Sequence, residues 1–195
     1  MKKILFVCTG NTCRSPMAEG MLRKLAKQRG IPLEAQSAGV SAVDGMPVSH
    51  HAQGILQDQD IQERLVSKAL TASLVEWADL ILTLTQSHKH YAIRQFPHAA
   101  DKMHTLKEFV EDDRRVLEDL RELDSLYASL ELARSLGQNV SNSERERLIE
   151  LSQRMPSFDI SDPFGGSRED YEATAAEIRT ALFRLLDKLE GDRPE

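Results

Sequence analysis

A cysteine and an arginine near the start of the chain, Cys8 and Arg14, are separated by five residues. A short apolar run precedes the cysteine, and helical periodicity follows the arginine. A loop between a strand and a helix turns its backbone amides toward one point, and the helix dipole adds positive potential there. The spacing therefore indicates an anion site with a nucleophilic thiol at its base, which suits a phosphoryl group.

The loop residues offer several donors for phosphoryl oxygens. Backbone amides from Thr9 to Arg14 supply most of them, because Gly10 tolerates the backbone angles of a tight loop. Arg14 adds a planar, bidentate fork. This positive field should let Cys8 ionise at lower pH than a free cysteine, so that the thiolate attacks phosphorus and forms a phospho-cysteine. Ser15 is placed to hydrogen-bond the sulfur and to ease its departure.

A thiolate mechanism also needs an acid for the leaving group, and the candidate is Asp162 in the run Ser-Asp-Pro-Phe-Gly-Gly at 161–166. Proline stiffens such a turn, and the glycines allow close approach to a pocket. Asp162 would protonate the departing atom and then activate the water that hydrolyses the intermediate. The alternative is an ordinary turn residue. Asp159 competes for the role but is more typical of a solvated loop carboxylate.

Cys13 has two interpretations. It fills the loop, or it forms a reversible disulfide with Cys8 that protects the nucleophile from over-oxidation, and we slightly favour the redox role. The chain has only two cysteines, which excludes a disulfide framework and fits a reducing cytoplasm. The histidines, including His50-His51 and His88-x-His90, lack carboxylate partners at metal-ligand spacing, and we predict surface or capping positions for them. No metal site is expected.

Composition narrows the class of protein. The chain of 195 residues is 41% hydrophobic and 29% charged, and no apolar stretch approaches bilayer-spanning length. The apolar run that starts at Ile4 is too short for a signal peptide. The formal net charge of −6 gives no reason to expect nucleic-acid binding. We expect neither a nucleic acid nor a membrane as partner.

Strand and helix patterns alternate along the chain, which predicts an α/β fold with a parallel sheet. The first helix is predicted to be capped by Ser15, with Pro16 in first position, and to be stopped by Gly30. The last predicted helix begins at 167–170, keeps one apolar stripe and ends at Gly191. Strands are predicted at 3–7, 33–37, 80–83 and 102–106, and shorter helices at 52–56, 74–77 and 85–95.

A segment at 111–157 interrupts this alternation. Leucines at helical spacing predict one helix up to Gly137, and a capping box of Ser143 and Glu146 predicts the start of a second. Acidic residues outnumber basic ones here, so the segment is a helical hairpin with a solvated face or, less favoured, a charged docking surface. We predict one domain over 1–195 with 111–157 as a helical insertion.

The stretch Val-Cys-Thr-Gly-Asn-Thr-Cys-Arg-Ser-Pro-Met-Ala-Glu at 7–19 resembles the signature of the low-molecular-weight protein tyrosine phosphatase family. Ser-Ala-Gly at 37–39 and Asp-Pro-Phe-Gly-Gly at 162–166 are similar to the family's second and third landmarks. The resemblance covers 2–110 and 158–189. It implies a flavodoxin-like, three-layer fold with a four-stranded parallel sheet and flanking helices, and neither a metal nor an organic cofactor.

The resemblance also implies residue roles. Cys8 would be the nucleophile, Arg14 the phosphate binder and Asp162 the general acid. A hydrogen-bond network would fix the loop through Asn11, Ser15 and Ser37, and the loop itself holds Thr9, Gly10, Thr12 and Cys13. Many relatives carry a supporting histidine just before the position of Val66-Ser67. This chain has Leu65 there, so that support is lost or comes from another residue.

Thr12 stands where tyrosine phosphatases of the family usually have a bulky aliphatic residue. A threonine there, together with Asp-Pro-Phe-Gly-Gly, is similar to the protein arginine phosphatases of Gram-positive bacteria. Its hydroxyl can hydrogen-bond a guanidinium, and Phe164 can stack on the guanidinium face. The alternatives are a Thr12 hydroxyl that satisfies the loop's own backbone and a Phe164 that plugs the pocket rim. The two residues together favour phosphoarginine.

The function predicted on these grounds is a cysteine-dependent phosphatase for phosphoarginine in proteins, with phosphorylated proteins as partners and a monomer as the expected state. A phosphotyrosine phosphatase is the main alternative. An arsenate reductase shares the fold and the Cys-x5-Arg loop, but it needs a downstream cysteine pair, and no cysteine follows Cys13. A non-catalytic phosphate reader is disfavoured because Cys8, Arg14 and Asp162 are all present.

Overall fold

The computed structural model describes residues 1–191, and the chain divides into two compact units. The first unit comprises residues 1–110 together with the chain from 158 onward, and the second is Glu111–Ser157. The second unit has the bounds of the segment that the sequence sets apart. Its status as an insertion within one domain stays a prediction.

A four-stranded parallel sheet forms the centre of the first unit, in the order β2-β1-β3-β4. Its strands are β1 (Lys2–Cys8), β2 (Leu33–Gly39), β3 (Leu80–Thr83) and β4 (Met103–Thr105). The predicted α/β class with a four-stranded parallel sheet is therefore confirmed. β2 continues two residues beyond its predicted end, because it pairs with β1 as far as Gly39 opposite Cys8.

Helices connect the strands and cover both faces of the sheet. In the first unit they are α1 (Arg14–Arg29), α2 (His50–Asp58), α3 (Ala72–Trp77), α4 (Gln86–Gln95), α5 (Leu106–Phe109) and α8 (Arg168–Gly191), with a 3-10 turn at Pro97–Lys102. Gly30 ends α1 in the left-handed conformation, as predicted (φ 67°). The predicted end of α8 after Gly191 lies outside the described residues.

The side chains of β1 alternate between two hydrophobic clusters. Ile4 and Phe6 pack on the side of α1, α2 and α8, whereas Leu5 and Val7 pack on the side of α3 and α4. All four are fully buried, which explains why β1 reads as a continuous apolar run rather than an alternating one. Among residues 1–191, no helix has both the length and the apolar character needed to cross a bilayer.

The second unit consists of α6 (Arg114–Ser135) and α7 (Asn142–Arg154). Two arginines of α7 join the helices, since Arg147 pairs with Glu122 and Arg154 with Asp119 at 2.5–2.7 Å. These ion pairs join the two helices, so part of the charge in this segment is neutralised by pairing within the unit.

Two predicted helix starts are wrong. α1 begins at Arg14 with Cys13 as N-cap residue, and no side chain of the described residues caps it. Ser15 is instead turned toward the sulfur of Cys8. In α7 the capping box is formed by Ser141 and Glu144, two residues before the predicted pair. The two candidate pairs have the same Ser-x-x-Glu spacing, so the pattern alone does not distinguish them.

Candidate active site

The candidate site lies at the edge of the sheet where the parallel strands have their carboxyl ends. Cys8 ends β1, and the loop from Thr9 to Cys13 leads directly into the N-terminus of α1. Such an edge is where ligands bind in open α/β sheets. A pocket of about 260 Å³ opens here. Its lining residues are Cys8, Thr9, Gly10, Thr12, Cys13, Arg14, Asp162 and Phe164.

A chain of hydrogen bonds leads to the sulfur of Cys8, which is 3% exposed. Asn11 Nδ2 donates to Ser15 Oγ at 2.8 Å, so the hydroxyl proton of Ser15 is left for Cys8 Sγ, also at 2.8 Å. A hydroxyl has one proton to donate. Asn11 donates to Ser15, and among residues 1–191 the sulfur is the other contact of this hydroxyl, so the Ser15 proton points toward the sulfur. That direction favours the thiolate over the thiol.

The orientation of the Asn11 amide is fixed by its other contacts. Its Oδ1 accepts from the backbone N–H of Lys68 at 2.7 Å, and a backbone N–H can only donate. Nδ2 must therefore face the hydroxyls of Ser15 and Ser37, at 2.8 Å each. Asn11 has a positive φ of 55°, a conformation that asparagine adopts more readily than most residues.

Glu19 ends this series of hydrogen bonds on the side away from Cys8. It was not predicted as a site residue. Ser37 Oγ donates to Glu19 Oε2 at 2.5 Å, and Arg23 lies 2.5 Å from the other oxygen. Burial raises the pKa of Glu19, and the contacts with Ser37 and Arg23 oppose this. Leu65 packs against the hydrophobic core. In this chain the network around Asn11 and Ser37 ends on Glu19 and on the Lys68 amide.

Burial raises the pKa of the Cys8 thiol. The hydrogen bond from Ser15, the amides of Ser15 and Asn11 and the charge of Arg14 all lower it, but burial outweighs them. This direction is opposite to the one expected from sequence, because the pattern of loop residues does not reveal how completely the sulfur is withdrawn from water. The donors around Cys8 therefore offset a desolvation cost that a free cysteine does not have.

Arg14 connects the loop to the segment that carries Asp162. Its guanidinium is buried, donates to the carbonyl oxygen of Ile160 at 3.3 Å and lies 3.2 Å from Asp162 Oδ2. The other oxygen of Asp162 accepts from the backbone N–H of Phe164 at 3.2 Å. The Asp162 side chain is 58% exposed, and Phe164 stands at the rim with 78% exposure. All three side chains line one pocket.

Neighbouring elements hold the segment of Asp162 in place. Ser161 Oγ donates to Glu177 Oε1 of α8 at 2.6 Å, and Lys107 of α5 contacts both Glu177 and the carbonyl of Asp159 at 3.0 Å. Asp159 Oδ1 accepts from the backbone N–H of Gln86 at the start of α4. Asp159 is not among the lining residues of the pocket, whereas Asp162 is.

His88 is a second residue that sequence reasoning missed. The ring is 6% exposed, and Nε2 lies 2.8 Å from Thr9 Oγ1 of the loop. Burial and the charge of Arg14 lower the pKa of His88 to about 4, against the opposing effect of Asp159 and Asp162. The prediction of a surface or capping position is wrong for His88. Its place three residues after Thr85, just beyond the carboxyl end of β3, was the available signal.

Cys13 contacts α8 and the N-cap residue of α2. Its sulfur is 3.2 Å from the hydroxyl of Tyr171 and 3.6 Å from that of Ser49. Both cysteines are free thiols. The redox role of Cys13 with Cys8 stays a prediction. Across residues 1–191, no group of three or more His, Cys, Asp or Glu side chains is arranged to hold a metal ion.

Comparisons with known proteins identify the family of this chain. The model of the family described as low molecular weight phosphotyrosine protein phosphatase matches residues 3–131. A protein-arginine-phosphatase of Geobacillus stearothermophilus is 33% identical over 98% of each chain. A low molecular weight protein-tyrosine-phosphatase, PtpB, of Staphylococcus aureus is 32% identical over 95% of this chain and 97% of its own.

One similar solved structure is described as an arginine phosphatase with a cysteine-to-serine substitution and a phosphorylated active-site serine. It has a TM-score of 0.72 and 32% identity, and the match covers 98% of this chain and 97% of that one. The family resemblance seen in the sequence is therefore confirmed. The chain belongs to the low molecular weight phosphotyrosine protein phosphatase family.

Proposed function

We propose that this chain is a cysteine-dependent phosphatase that hydrolyses phosphoarginine in proteins. The observation that carries the proposal is the directed hydrogen-bond chain that ends on Cys8 Sγ, with the buried guanidinium of Arg14 lining the same pocket. These groups provide a nucleophilic sulfur with a hydrogen-bond donor for its thiolate form and a binding site for phosphoryl oxygens. Phosphorylated proteins are the proposed partners, and the two free thiols fit a reducing cytoplasm.

The proposed reaction has two steps. The Cys8 thiolate attacks phosphorus, the P–N bond to the guanidinium group breaks, and Asp162 gives its proton to the departing nitrogen. Asp162 then takes a proton from water, whose oxygen attacks phosphorus, so that the S–P bond breaks and inorganic phosphate leaves with the thiolate restored. Arg14 and the loop amides hold the phosphoryl oxygens throughout. Ser15 stabilises the sulfur as it departs in the second step.

The preference for arginine rests on Thr12 and Phe164, which line the same pocket. A guanidinium carries N–H donors that the aryl ring of phosphotyrosine lacks, and a hydroxyl can accept from them. An aromatic face can stack on the planar cation. The similarity to arginine phosphatases supports this preference. The similarity to a tyrosine phosphatase at nearly the same identity supports the second candidate, phosphotyrosine.

The test compares turnover of phosphoarginine and phosphotyrosine in peptides with identical flanking residues. We expect kcat/KM to be higher for phosphoarginine, and Thr12→Ile to lower that ratio by about tenfold or more, since one hydrogen bond to a charged group contributes about 1.5–3 kcal/mol. Thr12→Ser keeps the hydroxyl and should leave the ratio close to that of the unchanged protein. A higher kcat/KM for phosphotyrosine in the unchanged protein would establish the second candidate instead.

A further inference from the structure

A buried histidine adjoins the phosphate-binding loop, and the reaction proposed above assigns it no part. His88 lies near the start of α4, with Nε2 2.8 Å from Thr9 Oγ1. Thr9 directly follows the nucleophile and lines the same pocket as Cys8 and Arg14. The ring therefore contacts a hydroxyl group that borders the space where a phosphoryl group would bind.

The position of the ring proton decides what this contact does. Because burial and Arg14 hold the pKa of His88 at about 4, despite Asp159 and Asp162, the ring is neutral near pH 7 and carries one proton. Nδ1 is buried and has no hydrogen-bond partner among residues 1–191. An orphaned buried N–H is rarer than an unsatisfied acceptor. The proton therefore belongs on Nε2, which donates to Thr9 Oγ1.

This assignment fixes the role of the Thr9 hydroxyl. A hydroxyl has one proton and two lone pairs, and here one lone pair accepts from His88. Its own proton is then left to donate, and accepting one hydrogen bond strengthens the donation of the next. Phosphoryl oxygens are acceptors for such a donor. The neighbouring backbone amides are donors to the same oxygens in the proposed reaction, so a side-chain donor at Thr9 would extend the anion site.

We propose that His88 is a positioning residue, which sets the Thr9 hydroxyl as a donor to a phosphoryl oxygen held in the loop. The proposal rests on phosphoryl binding at this site, as in the proposed function. It does not depend on whether the phosphoryl group comes from arginine or tyrosine. A histidine that merely fills space would leave the effect of the Thr9 hydroxyl on phosphate affinity independent of the His88 side chain.

A double-mutant cycle tests the link between the two residues. The readouts are the Kd of inorganic phosphate and kcat/KM for a phosphorylated peptide. We expect Thr9→Val to weaken both by about tenfold, His88→Leu to weaken both by a similar or smaller factor, and the double variant to be no worse than Thr9→Val. Thr9→Ser keeps the hydroxyl and should stay within about twofold of the unchanged protein.

His88→Gln is the matched control, because its amide N–H2 can replace the donor at Nε2. It should recover phosphate affinity relative to His88→Leu when Thr9 is present and should have no such effect beside Thr9→Val. If His88→Leu does not fold, His88→Met, which also removes the donor, takes its place in the cycle. Equal factors for the His88 change in both backgrounds would overturn the proposal, as would an unchanged phosphate Kd in Thr9→Val.

The ring proton can also be observed directly. A long-range ¹H–¹⁵N spectrum near neutral pH, with His88 assigned by its absence in His88→Gln, should show Nε2 protonated and Nδ1 bare. A proton on Nδ1 would contradict the proposed hydrogen bond from His88 Nε2 to Thr9 Oγ1. Phosphate binding and the spectrum need no turnover, so they test the hydrogen bond from His88 to Thr9 by themselves. Failure of the proposed phosphoarginine activity would appear only in the peptide assay, and the two failures are therefore distinguishable.

Discussion

At the scale of single residues, the site depends on the direction of its hydrogen bonds more than on their number. The backbone N–H of Lys68 settles the direction, because it cannot accept. It turns the Asn11 amide, which in turn leaves the Ser15 proton for Cys8. The sulfur is buried, so its thiolate form needs this donor to offset the loss of water.

Removing the Asn11 side chain should therefore weaken catalysis through the thiol. We expect Asn11→Gly to raise the pKa of Cys8 and to lower kcat/KM by about two- to tenfold, because the Ser15 hydroxyl is no longer held as a donor to the sulfur and a hydrogen bond between neutral groups contributes about 0.5–1.5 kcal/mol. Glycine accepts the positive φ of this position without strain, which makes it the better probe. The measurement is the pH dependence of Cys8 alkylation, followed on its peptide by mass spectrometry.

Asn11→Ala is the matched control for backbone strain. It removes the same amide but adds the cost of a non-glycine residue in the left-handed region, about 1–2 kcal/mol. Both variants should therefore show the same alkylation profile, while only Asn11→Ala loses additional stability in urea unfolding. If the alkylation profile of Asn11→Gly overlies that of the unchanged protein, Asn11 does not act on Cys8 through the Ser15 hydroxyl.

At the scale of elements, the sequence predicts secondary structure best where all side chains of an element are buried. The apolar runs of β1 and β3 marked both strands, since each is buried on both faces of the sheet. The start of α1 was misjudged, because the helix begins inside the anion loop and Ser15 turns to the sulfur instead of capping the helix. Local propensity gave no sign of this use of the hydroxyl.

The start of α7 gives a direct test of a capping box. Ser141 Oγ accepts from the backbone N–H of Glu144, and the Glu144 carboxylate accepts from the Ser141 N–H. We expect Ser141→Ala to destabilise α7 by about 1 kcal/mol. The measurement is hydrogen exchange of the first-turn amides, which reports on this helix alone.

Ser143 supplies the control for that experiment, because it is an exposed residue within the first turn of the same helix. Ser143→Ala should leave the exchange rates unchanged or slow them slightly, since alanine is the better helix former. If Ser143→Ala accelerated exchange more than Ser141→Ala, the cap would lie where the sequence pattern first placed it.

At the scale of the whole molecule, the polar residues that the sequence did not reveal are those whose partners are distant in the chain. His88 meets Thr9 across 79 positions, and Glu19 meets Ser37 across 18. The residues of the loop and Asp162 were predicted because short motifs contain them. Contacts between elements require the fold first, since α4 brings His88 to the loop after β1 and α1 brings Glu19 to β2.

Two buried titratable groups connect the fold to acid stability. Burial lowers the pKa of His88 from 6.5 to about 4. Although burial raises the pKa of Glu108, hydrogen bonds from His104 and Lys89 and the charge of Lys89 outweigh it and lower the value from 4.5 to about 2. In both cases the unfolded chain binds a proton at a pH where the folded chain does not. Stability must therefore fall as the pH decreases, but in two different windows.

The contribution of His88 to the free energy of unfolding should be complete above pH 6.5 and should be lost between about pH 6.5 and 4. The contribution of Glu108 should be lost between about pH 4.5 and 2. Each shift corresponds to about 3 kcal/mol. Urea unfolding at a series of pH values measures the slopes. His88→Gln should reduce the slope of stability against pH in the upper range and leave the slope in the lower range unchanged. Glu108→Gln should reduce the slope in the lower range only. If His88→Gln kept the slope of the unchanged protein between pH 6.5 and 4, the ring of His88 would not be held neutral by its burial, and the loss of stability in that range would have to come from other groups.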